Sequence, residues 1–219
     1  RYEIQIRDGL PSETSAAIEK TIALAVSVPD RNARVRFTGR NYVLPSRGQQ
    51  GIPVVSINTA RVAFEVYRVG DRSLANVIGN GDFDRQLYGY DLETLRERTG
   101  EKVYAGEMDV VEKLNEEVVA AFPVSETVGQ LKPGAYAMIA RPADRGDSES
   151  WNSLSTQWFI VSDLGLTAFS GETGVHAFVR SLAEATAVGG ASVKLIARNN
   201  EVLGTAKSDA NGYVRFEAG

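Results

Sequence analysis

The clearest pattern along the chain is a period of two between hydrophobic and polar positions, which is typical of β-strands. In 61–69, one face carries Val62, Phe64 and Val66. The opposite face is polar enough that we expect it to be partly exposed; it carries Ala63, Glu65, Tyr67 and Val69. Similar alternation or short apolar runs predict further strands at 2–6, 20–28, 35–37, 135–140, 157–161, 174–180, 191–198, 201–206 and 213–216.

Turn-forming residues separate these strands. Asn199-Asn200 between two strands predicts a type I′ hairpin, because Asn tolerates the left-handed region. Pro133-Gly134 predicts a type II turn before the strand at 135–140. The stretch 208–212 ends in Gly212 and predicts a turn into the last strand.

The middle of the chain is less regular. Asp91 is expected to cap a short helix that runs through Leu92, Leu95 and Arg98, with Gly100 at its C′ position. Hydrophobic residues spaced by four between 110 and 122 permit a helix, although 117–123 also reads as a strand. We favour the strand, and Pro123 would end either element.

Many short strands with these turns predict an all-β fold, built from tandem antiparallel β-sandwich domains with a short helical insertion in the first. Residues 1–30 are interpreted as strands of a preceding domain or of the first sandwich, 31–154 as one sandwich and 155–219 as another. The polar stretch 141–156 is the best candidate for a linker or a long loop. The first core is predicted to contain Val62, Phe64, Val66 and Tyr136. The second is predicted to contain Trp158, Ile160, Val193, Leu195 and Phe216.

Composition removes most enzyme classes. The 219 residues include no Cys and a single His, and the net charge is −4. These counts exclude disulfides, thiolate metal sites, cysteine nucleophiles and multi-histidine zinc sites in this sequence. The sequence has no Lys/Arg cluster dense enough to indicate a nucleic-acid partner. No apolar run approaches the ~20 residues that span a bilayer. We therefore expect no enzyme activity, no catalytic, cofactor-binding or metal-binding residues, and no direct membrane insertion.

A few residues still merit a chemical interpretation. Paired carboxylates are a glycosidase device, and Glu116-Glu117 and Asp82/Asp84 are the obvious pairs, although solvated loops account for both more simply. His176 could act as a switch, but a partly exposed strand residue beside Phe178 is the simpler interpretation. The acidic stretch 79–84 lacks the ligand pattern of an EF-hand and is expected to be a turn-forming loop. The triplet at 145–147 matches a short adhesion motif that arises often by chance.

Several motifs in this order resemble bacterial alpha-2-macroglobulins. They are NYVLP at 41–45, GIPVV at 51–55, VAFEVYRV at 62–69, LKPGAYAM at 131–138, WFIVSDLGLTA at 158–168, FVRSLA at 178–183, ASVKLIARNNEVLG at 191–204 and SDANGYVRF at 208–216. The resemblance covers most of residues 33–219. It implies tandem macroglobulin-like domains.

The resemblance also implies a function, that of a structural scaffold fragment in a broad-spectrum endopeptidase inhibitor. Its partners would be target proteases, met through the full-length parent, and neighbouring macroglobulin-like domains. The parent would be periplasmic, and the resemblance also allows a lipid anchor to the membrane. This sequence shows no bait region, thioester or lipid-attachment motif, and it begins and ends within strands, so we expect an excised fragment. The alternative is an adhesin or carbohydrate-binding sandwich, with Trp151 as the visible candidate.

Overall fold

The computed structural model describes residues 2–11, 13, 16–39, 42–44, 51–129, 131–144 and 154–217. The chain forms two compact units, residues 1–32 and residues 33–219. The first unit is an antiparallel pair of strands, β1 (Tyr2–Ile6) and β2 (Ile22–Val26), in which Ile4 lies opposite Leu24. Both strands were predicted from alternation. Their apolar side chains are largely exposed within this unit.

The second unit begins with a β-sandwich. Its strands are β3 (Arg34–Phe37), β4 (Tyr42–Leu44), β5 (Ile52–Ile57), β6 (Arg61–Val69), β7 (Gly100–Asp109), β8 (Val118–Phe122), β9 (Gly134–Pro142) and β10 (Ser155–Val161). One sheet has the order β3-β5-β8 and the other β4-β10-β9-β6-β7. Every pairing is antiparallel except that between β4 and β10.

The core lies between these two sheets. Val62, Phe64 and Val66 are buried there as the alternation predicts, together with Tyr136. The ring of Phe64 meets that of Phe122 from the opposite sheet at a centroid distance of 4.4 Å. The strand interpretation of 117–123 is confirmed, because Val118–Phe122 pairs along β5.

A helical segment lies between β6 and β7. It contains α1 (Asp71–Gly79), α2 (Gly89–Thr94) and a π-helical turn (Leu95–Thr99), and a one-turn α3 (Val124–Thr127) follows later. The segment covers the outer face of β6, where Tyr67 and Val69 are fully buried with Leu92 and Leu95. The expectation that this face is partly exposed was therefore wrong at Tyr67 and Val69.

The predicted helix cap was also wrong. Helix α2 begins at Gly89 with Tyr88 as N-cap, so Asp91 lies inside the first turn. Gly100 has extended backbone and starts β7 instead of ending the helix in the left-handed region.

The rest of the second unit contains five strands. They are β11 (Leu164–Gly171), β12 (Gly174–Ser181), β13 (Ser192–Ile196), β14 (Val202–Lys207) and β15 (Tyr213–Phe216). Strands β11, β12 and β15 form one sheet, and β13 and β14 form a hairpin. Ala177, Val179 and Val214 are the buried hydrophobic side chains here. Val193, Leu195 and Phe216 are partly buried, so the expected second core is only partly realised.

The two predicted turns of this region are present, with one difference. The amide of Asn200 bonds to the carbonyl of Ala197 at 2.9 Å, and only Asn200 of the two asparagines has a positive φ, 68°. A two-residue type I′ turn needs positive φ at both positions, so that detail was wrong. The second turn ends at Gly212 with φ 74°, where an added Cβ would collide with the carbonyl oxygen of Val179.

Strand β10 belongs to the first sandwich. It pairs with β9 from Ser155 opposite Ala140 to Val161 opposite Gly134. Residues 143–154 therefore connect neighbouring strands of one sheet, which agrees with the long-loop alternative, and the linker alternative was wrong. Trp158 is buried against the helical segment and Ile160 is half-buried in this sheet, so neither contributes to a second core. The domain ranges 1–30, 31–154 and 155–219 remain predictions.

Candidate functional site

Three of the four carboxylates singled out in the sequence, Glu116, Glu117 and Asp82, contact cations. Glu117 contacts Arg36 at 2.7 Å, and Glu116 contacts Lys113 at 3.7 Å. Because the two glutamates have separate partners, the structure does not bring them together as an acid and base pair. The simpler interpretation, in which Glu116 and Glu117 belong to the solvated surface, fits this geometry.

Asp82 and Asp84 lie in the loop after α1. Asp82 contacts Arg85 at 2.6 Å, and Asp84 has a positive φ of 75°, as Asp often has in turns. Within the described ranges, no three His, Cys, Asp or Glu side chains converge in a way that could hold a metal ion.

His176 lies between two hydroxyl groups on the outer face of β12. Its Nδ1 is 2.7 Å from the Tyr213 hydroxyl, and its Nε2 is 2.8 Å from Oγ1 of Thr173. The imidazole also lies close to the Tyr213 ring, with centroids 6.0 Å apart. These contacts fix the β12–β15 pair and the turn before β12. They place no serine nucleophile next to the imidazole.

A polar cluster missed in the sequence lies beneath the helical segment. Glu65 Oε2 accepts a 2.5 Å hydrogen bond from the Tyr67 hydroxyl and a 3.1 Å bond from Arg96. Its Oε1 is 3.6 Å from Lys102 Nζ, which also lies over the Tyr67 ring at 5.5 Å. Alternation placed Glu65 and Tyr67 on one face, but it gave no signal for the cations from the π-helical turn and β7.

Opposing influences act on the titration of this cluster. Burial favours the neutral form of Glu65, but the Tyr67 hydrogen bond and the charges of Arg96 and Lys102 outweigh it, and its pKa lies below the ordinary 4.5. Burial and the bond to Glu65 raise the pKa of Tyr67. Both oxygens of Glu65 have partners, so the cluster offers no free general base. It stabilises the packing of the helical segment on the sheet.

A cleft of about 440 Å³ opens beside this segment. Arg85 bridges Asp82 and Asp91 across it, and Trp158 forms part of its floor. The charged groups of its lining are bound to one another. The arrangement ties the loop after α1 to the start of α2, which is a structural task.

The passage from the first sandwich to the next strands is short. Only Ser162 and Asp163 separate β10 from β11. The backbone amide of Ser162 donates a hydrogen bond to the carbonyl oxygen of Leu44 at 3.2 Å. The backbone amide of Leu182 donates one to the carbonyl oxygen of Asp163 at 2.9 Å. The Ser162 hydroxyl also bonds to the backbone of Leu164. These bonds hold the connection at both sides, so this junction can set the direction in which the chain leaves the first sandwich.

A second contact joins the same two parts. The side-chain amide of Asn200, at the tip of the β13–β14 hairpin, lies 3.4 Å from the carbonyl of Arg72 in α1.

The triplet 145–147 and Trp151 fall outside the residues that the structure describes. Among those it does describe, no helix is long and apolar enough to cross a bilayer.

Two family models match the chain. The model of the bacterial alpha-2-macroglobulin MG2 domain matches residues 36–156, which is more than half of the chain. The model of the bacterial alpha-2-macroglobulin MG3 domain matches residues 161–219. The first match ends at the start of β10 and the second begins at its last residue, so residues 157–160 lie between the two matches.

Curated relatives agree with these models. The chain is 26% identical to an alpha-2-macroglobulin of Escherichia coli K12 over 93% of its length, and 27% identical to one of Xylella fastidiosa 9a5c over 80%. It spans only 12% and 11% of those two proteins. A crystal structure of native Escherichia coli alpha-2-macroglobulin spanning domains NIE and MG1 is similar with a TM-score of 0.66 at 25% identity. That match covers 88% of this chain and 90% of the other.

Proposed function

The chain belongs to the bacterial alpha-2-macroglobulin family, and we propose that it is a structural scaffold segment of a broad-spectrum protease inhibitor. In this role it carries no catalytic group, cofactor or metal. Its partners are the neighbouring macroglobulin-like domains, and target proteases are met through the full-length parent. The observation that carries the proposal is the two-residue junction between β10 and β11, which is hydrogen-bonded at both sides.

A protease trap needs this kind of junction. Cleavage of one exposed segment can move distant domains only if the domains between them transmit the displacement instead of absorbing it in a loose linker. The bonds of Ser162 and Asp163 to Leu44 and Leu182 limit such absorption. The buried β-sandwich core supplies the rigid body to which the junction is attached.

Sheet membership supports a revised division of the chain. We place the boundary between the two macroglobulin-like domains after Val161, because β10 pairs with β9 over its whole length. The second family match begins at Val161, the last residue of β10, which is compatible with this position. We also place the parent in the periplasm, with a lipid anchor as one means of attachment.

The test uses the full-length parent and a broad-specificity protease. We expect one early cleavage on a denaturing gel, with the protease then active on small substrates and inactive on large ones. A high-mass adduct abolished by methylamine would identify a thioester elsewhere in the parent. Progressive digestion with full activity on large substrates would overturn the inhibitor role.

A variant tests the scaffold role itself. Four Gly/Ser residues inserted between Ser162 and Asp163 should leave the early cleavage intact and reduce the protection of large substrates. The same insertion between Glu112 and Lys113, in an exposed connection within the first sandwich, is the control and should change neither. Equal protection with both insertions would show that the junction is not part of the mechanism.

A further inference from the structure

A groove of about 580 Å³ lies where α1 of the first sandwich faces the β13–β14 hairpin. Leu74, Ala75 and Ile78 line one wall, and Ile196 and Ala197 line the other. The volume falls in the range of roughly 300 to 1,000 Å³ that small-molecule sites occupy. Both walls come from the unit formed by residues 33–219.

The apolar side chains of this groove are unusually open to solvent. Ile78 is 57% exposed and Ile196 is 45% exposed. Isolated exposed isoleucines need no explanation, but two that face each other across a concave surface form an apolar patch that a ligand could cover. The hydrogen bond from Asn200 to Arg72 crosses between the same two walls.

The charges at the rim select the ligand. Lys194 and Arg198 line the groove, and in the described part of the chain neither forms an ion pair with a carboxylate. Asp71 also lines it, but its carboxylate is bound to Arg68 at 2.9 Å. Lys194 and Ile196 are exposed residues of β13, and Arg198 is an exposed residue of the turn that follows it. The apolar walls and these two unneutralised cations fit a molecule that has a hydrocarbon chain and an anionic head.

We propose that this groove binds a long-chain carboxylate, with the hydrocarbon chain between Ile78 and Ile196 and the carboxylate at Lys194 and Arg198. A ligand held in this way contacts both α1 and the β13–β14 hairpin, so its binding stabilises one arrangement of the two. The site goes beyond the scaffold role, and it is tested on this chain alone, independently of any protease.

Calorimetric titration of the chain with decanoate, below its micelle concentration, tests the site. We expect saturable binding of one molecule, and binding at least fivefold weaker for methyl decanoate and for decyltrimethylammonium. The double variant Lys194→Gln/Arg198→Gln should weaken decanoate binding about tenfold, since each exposed ion pair contributes a factor of roughly two to five. Ile78→Asp should abolish it.

Matched controls separate this site from general surfactant binding. Lys207→Gln removes a cation from the same hairpin, and Leu203→Asp changes an exposed apolar residue there; neither residue lines the groove. Both should leave the affinity unchanged, and circular dichroism melting should confirm that each variant is folded. Equal loss in the controls, equal binding of the cationic amphiphile, or no saturable binding would overturn the proposal. Binding of methyl decanoate as tight as that of decanoate would show an apolar site without the carboxylate contact and would overturn it too.

Discussion

The indole nitrogen of Trp158 donates a 2.9 Å hydrogen bond to the carbonyl oxygen of Arg85, which precedes it by 73 positions. The Trp158 ring also packs on Phe83, with centroids 5.3 Å apart. Nearby, Gln86 exchanges hydrogen bonds with Thr156 at the start of β10. Strand β10 therefore holds the loop between α1 and α2 in place.

Replacing Trp158 should loosen this attachment. We expect Trp158→Ala to lower the free energy of unfolding by about 3 to 5 kcal/mol, because a large buried side chain is lost and a cavity remains. Trp158→Phe keeps most of the volume but leaves the Arg85 carbonyl without its donor, and it should cost about 1 to 3 kcal/mol. Urea unfolding followed by circular dichroism measures both. An unchanged midpoint for Trp158→Ala would contradict the placement of this side chain.

The core between the two sheets gives a second prediction. Phe64 is 1% exposed and contacts Phe122 of the facing sheet. Phe64→Ala should cost about 3 to 5 kcal/mol, measured by urea unfolding. The control is Val119→Ala on β8, where the side chain is 65% exposed and the change should stay within about 0.5 kcal/mol. Similar losses for the two variants would argue against this core.

The low pKa of Glu65 predicts a pH dependence of stability. A carboxylate whose pKa is lowered by folding stabilises the native state above its ordinary pKa, and this contribution disappears as the pH falls through the folded value. Wild type should therefore be more stable than Glu65→Gln at pH 7, and the difference should shrink below about pH 4.5. Urea midpoints between pH 3 and pH 7 measure this difference.

The control for this experiment is Glu107→Gln. Glu107 lies on β7 of the same sheet and forms a half-exposed ion pair with Arg61 at 3.0 Å. Exposed pairs contribute at most about 1 kcal/mol, so this variant should stay close to wild type at neutral pH. A constant difference between wild type and Glu65→Gln across the whole pH range would refute the electrostatic role of Glu65.

The proposed boundary after Val161 can be tested with two shortened chains. Residues 33–161 should unfold cooperatively, because they keep β10 between β4 and β9. Residues 33–154 lose β10 and with it the buried Trp158, Phe159 and Val161, so they should lack a cooperative transition. Fluorescence and circular dichroism during urea unfolding distinguish the two results. Cooperative folding of the shorter chain with native-like stability would restore the boundary at 154/155.

Strand positions were predictable because alternation is local. Val62, Phe64 and Val66 are buried as the pattern indicates, and β12 shows the same agreement at Ala177 and Val179. What covers the second face of a strand is not a local property. Tyr67 is buried because residues 92–95 fold back over it, and no period-two pattern contains that information.

Sheet membership and site chemistry were harder to predict for related reasons. The polar loop before Trp158 looked like an interdomain linker, yet it joins two paired strands. The Glu65 cluster depends on Arg96, which lies 31 positions away and is brought there by a π-helical turn. Long-range pairings of this kind depend on how the elements pack together. Composition and residue spacing do not predict that packing.

The parallel pairing of β4 with β10 has a mechanical consequence. Strand β10 has a ladder on each side, with partners at seven positions in β9 and at three in β4. A pulling force applied at Asp163 and directed along the axis of β10 loads both ladders at once in shear. It cannot peel the strand away one bond at a time, as it could from a sheet edge. Tension that arrives from the following domain is thereby spread over the β4–β10–β9 ladders of the sheet before any single bond has to break.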